Sequence, residues 1–129
     1  MKISEFIVGD WVWTSGHPVQ VEAINRHKIG YLKKYWKNFE YIEPILLTPE
    51  MLELNGIKKR GDEYMIFGWE GEKQWYVSLE DFKPQYDFWF ITSSDRSLNV
   101  RGQIRYVHEL QHSLRLCGLN ELADNFKLQ

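Results

Sequence analysis

The sequence predicts an α+β fold: an N-terminal SH3-like bent antiparallel sheet, a short helix, and aromatic antiparallel strands packed on a C-terminal helix. Three observations predict it. Up to residue 45, short runs of alternating apolar and polar residues are broken by turn-forming clusters. Between residues 63 and 92, three aromatic-rich runs keep the strand period of two. From Gln103 to Gly118 the period lengthens to that of a helix, with Ile104, Val107, Leu110, Leu114 and Cys117 on one side and Gln111 interrupting the stripe. At 129 residues the chain has the length of one domain. The expected organisation is a single α+β domain, with 1–45 as the SH3-like β subregion and 46–129 as helix, β-meander and C-terminal helix.

Residues 6–14, FIVGDWVWT, read as a strand entered through a Gly-Asp turn, and Ser15-Gly16-His17-Pro18 turns the chain into a second strand carrying Val19 and Val21. Asn25-Arg26-His27 makes the next turn. Strands are expected at Ile29–Leu32 and, after a polar aromatic interval, at Phe39–Ile42. Leu47 to Gly56 is more fully specified: Thr48 caps, Pro49 suits the first helical position, Glu50 meets the positive helix end, and Gly56 suits the left-handed position past the end. A helix over 48–55 follows. Strands are then expected at Glu63–Trp69, Gln74–Leu79 and Tyr86–Thr92, with Glu70-Gly71-Glu72-Lys73 as a hairpin turn. Residues 93–103 read as a connection with one short extended piece, and Leu119, Leu122 and Phe126 are spaced for a last short helix.

Within the long helix, His108-Glu109-Leu110-Gln111-His112 has the spelling of a zinc-protease helix, in which two histidines hold the metal and the glutamate acts on its water. Such a site needs a third ligand. The other histidines, His17 and His27, belong to the early hairpin region, and Glu121 and Asp124 are the acidic residues after His112; no spacing asks for any of them. The apolar stripe puts His108, His112 and Arg115 on the helix flank and Glu109 farther round, which predicts a solvent-facing surface, with His108 as a satisfied boundary histidine or an adventitious metal contact as the lesser alternative. No catalytic residue, metal ligand or cofactor is assigned, and a zinc-dependent hydrolase remains only as a third reading.

The single cysteine, Cys117, leaves no intrachain disulfide and sits on the apolar side of the helix, as a small buried thiol does. Residues 1–6 do not open a long apolar run and no window has the length of a membrane span, so a cytoplasmic protein without membrane contact is expected. The net charge of −2 conceals an asymmetry: residues 1–60 carry nine Lys/Arg against seven Asp/Glu, and residues 61–129 carry seven against eleven.

Three stretches, IVGDWVW (7–13), YIEPILLTPEMLELNGIKK (41–59) and IRYVHELQHSLRLCGL (104–119), together resemble an uncharacterised family of small proteins from gut Bacteroidetes and their prophages and mobile elements. The resemblance spans nearly the whole chain and implies a similar order of sheet, helix, aromatic sheet and helix. Members often carry asparagine at the position of His112, which implies that this histidine is not a shared zinc ligand. It brings no activity, substrate or catalytic residue to carry over.

Two binding readings follow from the residues. From Ala23 to Phe39 the chain holds Arg26, Lys28, Lys33, Lys34 and Lys37 among Tyr31, Tyr35, Trp36 and Phe39, with no acidic residue. Cations interleaved with rings suit single-stranded nucleic acid, the cations on phosphates and Tyr35 or Trp36 under bases. They equally suit the solvated edge of a small barrel. The leading expectation is a non-catalytic protein-interaction or accessory module, with an unidentified protein partner or a second copy of the chain. The six tryptophans permit such a patch, and also a two-sided core in which Trp11, Trp69, Trp75 and Trp89 pack internally.

Overall fold

The computed structural model describes residues 6–70, 72–81, 88–94 and 101–129. Its architecture is α+β, with antiparallel N-terminal strands, a short helix, further strands and C-terminal helices. Strands β1 (Trp11–Thr14) and β2 (His17–Gln20) form a hairpin. Its turn residues Ser15 and Gly16 have φ of 53° and 81°, the sign pattern of the tight turn that matches strand twist. His17 and Pro18, expected in the turn, are instead the first residues of β2. Pro18 is tolerated there because Trp13 opposite directs its backbone away, to Glu43, through bonds of 2.8 and 2.9 Å.

The bend predicted for this region lies at Val21-Glu22. Val21 still pairs with Gly9 and Asp10 beside β1, whereas the Glu22 N–H bonds Gly30 O at 2.8 Å and so opens a second sheet. That sheet has the order β3 (Ala23–Asn25), β4 (Lys28–Tyr31), β5 (Tyr35–Asn38). The expectation of a strand at Phe39–Ile42 is corrected: the polar aromatic interval before it is β5, and Phe39–Tyr41 form a 3₁₀ turn. Tyr35 to Asn38 lie directly opposite β4 across the turn at 32–34, so the nearest residues complete the ladder. Phe39 N then bonds His27 O, and Ile42 N bonds Phe39 O, which curls the chain away. Phe6, Val12, Val19, Val21, Ile29, Tyr31 and Ile42 make the core of this part.

Helix α1 (Pro49–Leu54) forms where its end signals lie. Thr48 Oγ1 accepts from Met51 N at 3.3 Å, and Gly56 takes φ 77° past the C-terminus. A five-stranded antiparallel meander follows: β6 (Lys58–Arg60), β7 (Glu63–Glu70), β8 (Lys73–Asp81), β9 (Trp89–Ser94) and β10 (Arg101–Ile104). β6 carries no apolar residue and so gave no strand signal; it pairs as an edge strand of Lys and Arg. Of the expected strand at Tyr86–Thr92, residues 86 and 87 lie outside the described residues, as do residue 71 of the expected hairpin turn and 95–100 of the expected connection.

The long helical pattern yields α2 (Val107–Leu116), followed by α3 (Asn120–Asp124). Residues 103 and 104, expected in the helix, belong to β10, where they pair with Phe90 and Trp89. The predicted burial is observed: Val107, Leu110, Leu114 and Cys117 pack in one core with Tyr64, Trp75, Val77, Leu79, Trp89 and Ile91 of the sheet. Among the described residues no helix is long and apolar enough to cross a membrane.

Candidate functional site

The histidine helix turns inward at the positions that were expected to face solvent. His108 is 4% exposed, with its ring stacked on Tyr106 at 5.9 Å and against Phe6 at 5.4 Å. His112 donates from Nε2 to Asp10 Oδ2 at 2.6 Å, and Arg115 donates from Nη1 to Asp10 Oδ1 at 2.8 Å. The expected solvent-facing flank is therefore corrected: His108 is buried, and His112 and Arg115 are only partly exposed. The cause is the segment Phe6–Asp10, which lies over the flank, and a helical wheel carries no information about what a remote segment covers.

Asp10 is fully buried and compensated from three directions, since Ile7 N–H also donates to its Oδ2 at 2.9 Å. Arg115 reaches on to Asp124 Oδ1 through Nε at 3.2 Å and Nη2 at 3.1 Å. Gly9 is required here: its φ is 98°, and a Cβ on it would stand 2.8 Å from Arg115 Nη2. Gln111, the polar break in the stripe, is buried because its side chain knits three segments together. Its Oε1 accepts from Trp11 N at 2.9 Å, and its Nε2 donates to Gly9 O at 2.9 Å and Ala123 O at 2.8 Å. So the Gly-Asp of IVGDWVW and the Gln of VHELQ meet each other.

Glu109, which would be the base in a zinc-protease reading, folds back over its own helix start. Its Oε1 accepts from Arg105 N at 2.8 Å and Tyr106 N at 3.0 Å, covering two amide groups at the N-terminus. Among the described residues, no group of three or more His, Cys, Asp or Glu is gathered where it would hold a metal ion.

The basic aromatic stretch is divided between two faces. Ile24, Ile29 and Tyr31 point into the core, so the opposite face of the three-stranded sheet carries Ala23, Gly30 and Trp36 in one cross-strand row and Asn25, Lys28 and Asn38 in the next. Trp36 is 50% exposed, and its six-membered ring lies on Gly30: a Cβ at Gly30 would come within 3.3 Å of Trp36 Cζ2 and Cη2. Lys28 stands exposed in the neighbouring row, and Arg26 in the adjoining β3–β4 turn. Lys33 and Lys34 occupy the β4–β5 turn at the other end. The positive φ of Leu32 and Lys33, 50° and 64°, fixes that turn, and Lys33 N donates to Glu22 Oε1 at 2.6 Å.

Tyr35 and Lys37 belong to the other face by register. Tyr35 stacks on Tyr31 at 5.6 Å with Lys34 Nζ 5.2 Å from its ring centre, and Lys37 Nζ stands 6.0 Å from the ring centre of Tyr41. A hollow of about 440 Å³, lined by His27, Lys28, Asn38, Phe39 and Glu40, adjoins the Lys28 row. Sequence reasoning named Trp36 without its support, Gly30. The signal was present in principle, since a glycine inside a strand marks a place where something lies close to the backbone.

The same device occurs in the large sheet, where Trp75 lies across Gly68 on the core side. There the indole is 9% exposed and serves packing. Of the tryptophans that a two-sided core would enclose, Trp75 and Trp89 are buried and Trp11 packs at the core margin, while the side chain of Trp69 lies outside the description. Comparison with family models, with curated proteins and with solved structures returned no match.

Proposed function

We propose that the chain is a non-catalytic accessory module, of the phage or mobile-element kind that its resemblance implies, whose partner is held on the outer face of the three-stranded sheet. The observation that carries this reading is the half-exposed indole of Trp36 resting on Gly30, an aromatic surface of fixed position outside either core. A ring held by the backbone loses little conformational freedom when a partner covers it, which is why such rings make good contact points. The non-catalytic part rests on the helix that spells a metalloprotease motif: Glu109 covers backbone amides, and His112 is bonded to a buried carboxylate. These roles account for the residues without a reaction.

Site-directed photocrosslinking tests the location of the face. A photoreactive residue replaces Trp36 or Lys28 in the intact chain, expressed in its host, and a control replaces Leu116, which is exposed on α2. Adducts are expected from positions 36 and 28 and not from 116. Equal yield at all three, or adducts from 116 alone, overturns the reading.

A further inference from the structure

We infer that the face carried by Trp36, Lys28 and Lys33 takes single-stranded nucleic acid, with an unpaired base on the outer side of the indole and phosphates at the lysines. This rests on the placement of the binding face proposed above, and adds the chemistry of its occupant.

Charge complementarity selects the occupant. Residues 23–39 contain five Lys/Arg and no Asp/Glu, although the chain as a whole is at −2. The sheet places three of them, Arg26, Lys28 and Lys33, about the ring, while Lys34 and Lys37 stand over Tyr35 and Tyr41. Arg26 and Lys28 lie toward the β3–β4 end, Lys33 at the β4–β5 turn, and Trp36 between, opposite Gly30. A strand rises roughly 3.3 Å per residue, so the two cationic ends stand on the order of 15 Å apart, a span that several nucleotides of an extended backbone cross. Cation, ring, cation along a line is the order that a phosphate backbone with one splayed base requires.

Two carboxylates bound the surface. Glu22 is held against Lys33 N at the turn, and Glu40 lines the hollow beside Lys28. They restrict a polyanion to the path over Trp36. The hollow next to Lys28, with His27, Asn38 and Phe39 in its wall, offers the neighbouring nucleotide both a ring and polar groups. A duplex presents no unpaired base to the indole, so the single strand is the form this face favours.

The test is fluorescence anisotropy of labelled 12-nucleotide single strands, one of DNA and one of RNA, titrated with the intact chain at low and at physiological salt. An RNA or DNA preference identifies the source. Saturable binding is expected, with log K falling against log salt at a slope of about −0.7 for each phosphate neutralised. Trp36→Ala is expected to weaken binding about tenfold and Trp36→Phe much less, because a smaller ring still stacks. Lys28→Glu with Lys33→Glu is expected to weaken binding and flatten the salt slope. Circular dichroism and thermal melting confirm that each variant is folded before its affinity is compared.

Absence of saturable binding at low salt, equal binding of a duplex, or indifference to Trp36→Ala overturns the inference. An acidic peptide that binds more tightly than either oligonucleotide and is lost with Trp36→Ala also overturns it. In that last case the crosslinks at positions 36 and 28 persist, so the binding face survives while its assigned occupant does not.

Discussion

The imidazole of His112 and the carboxylate of Asp10 meet at 2.6 Å, 102 positions apart in the chain. With Arg115 on the other carboxylate oxygen, the pair fastens the entrance of β1 to α2, and Arg115 carries the connection to α3 through Asp124. Asp10→Asn keeps the shape and removes the charge that Arg115 and His112 face. Loss of about 3 kcal/mol is expected, because Arg115 is left largely buried opposite a neutral group. Urea unfolding measures it, and a change below about 0.5 kcal/mol would reduce the network to decoration.

Glu109 is expected to behave as a helix cap. Glu109→Ala uncovers the amides of Arg105 and Tyr106 and should cost about 1 kcal/mol, with Glu109→Gln recovering part of it. Metal analysis of protein purified without a tag runs beside it. One retained equivalent of zinc, lost with His112→Ala, would return the helix to the metalloprotease reading.

Leu110 and Leu114 are fully buried between α2 and the meander. Leu110→Ala is expected to cost about 2–5 kcal/mol through lost contacts and a cavity. A smaller loss would mean that the surrounding side chains close over the gap, and the same denaturation measurement decides it.

This part of the fold was legible in the sequence because its signals are local: a stripe at helical spacing, and Thr48, Pro49 and Gly56 at the ends of α1. What was not legible depends on contacts between distant segments. Gln111 broke the apolar stripe for a reason supplied by Gly9, Trp11 and Ala123, and the histidine flank was covered by Phe6–Asp10. β6, Lys-Lys-Arg, carries no apolar alternation and is a strand only because β7 offers it an edge. The binding stretch was found by composition, but composition does not say which side of a sheet a residue takes. Register does, and it separates Trp36 and Lys28 from Tyr35 and Lys37.

Tyr64 sets an alkaline limit on stability. Burial raises its phenol above the usual 10.0, and the carboxylates of Glu53, Glu50 and Asp81 add to the shift. Below pH 10 both folded and unfolded chains keep this proton, and the contribution is complete. Above it the unfolded chain releases the proton first, so stability falls as pH rises through the folded value. Tyr64→Phe is expected to remove this component, so the stability difference between the variant and the parent stays flat below pH 10 and moves in the variant's favour above it. A parallel course through the alkaline range would show that Tyr64 is not the group responsible.

Leu32 and Lys33 hold left-handed backbone at φ 50° and 64°, a region that costs an L-residue roughly 1 kcal/mol where glycine is at ease. Lys33→Gly and Leu32→Gly should therefore each stabilise the chain by up to about 0.5 kcal/mol, the relief less what glycine adds to the freedom of the unfolded state. The bond from residue 33 N to Glu22 uses the backbone, so it remains in the glycine variant. The two variants separate in binding. Only Lys33→Gly removes a cation from the proposed phosphate path, and it alone should weaken the oligonucleotide and flatten the salt slope. If both variants stabilise equally and both bind as the parent does, Lys33 is an edge charge kept in a strained turn for no ligand. If Leu32→Gly alone preserves binding, the strain at Lys33 is tolerated because a partner uses its side chain.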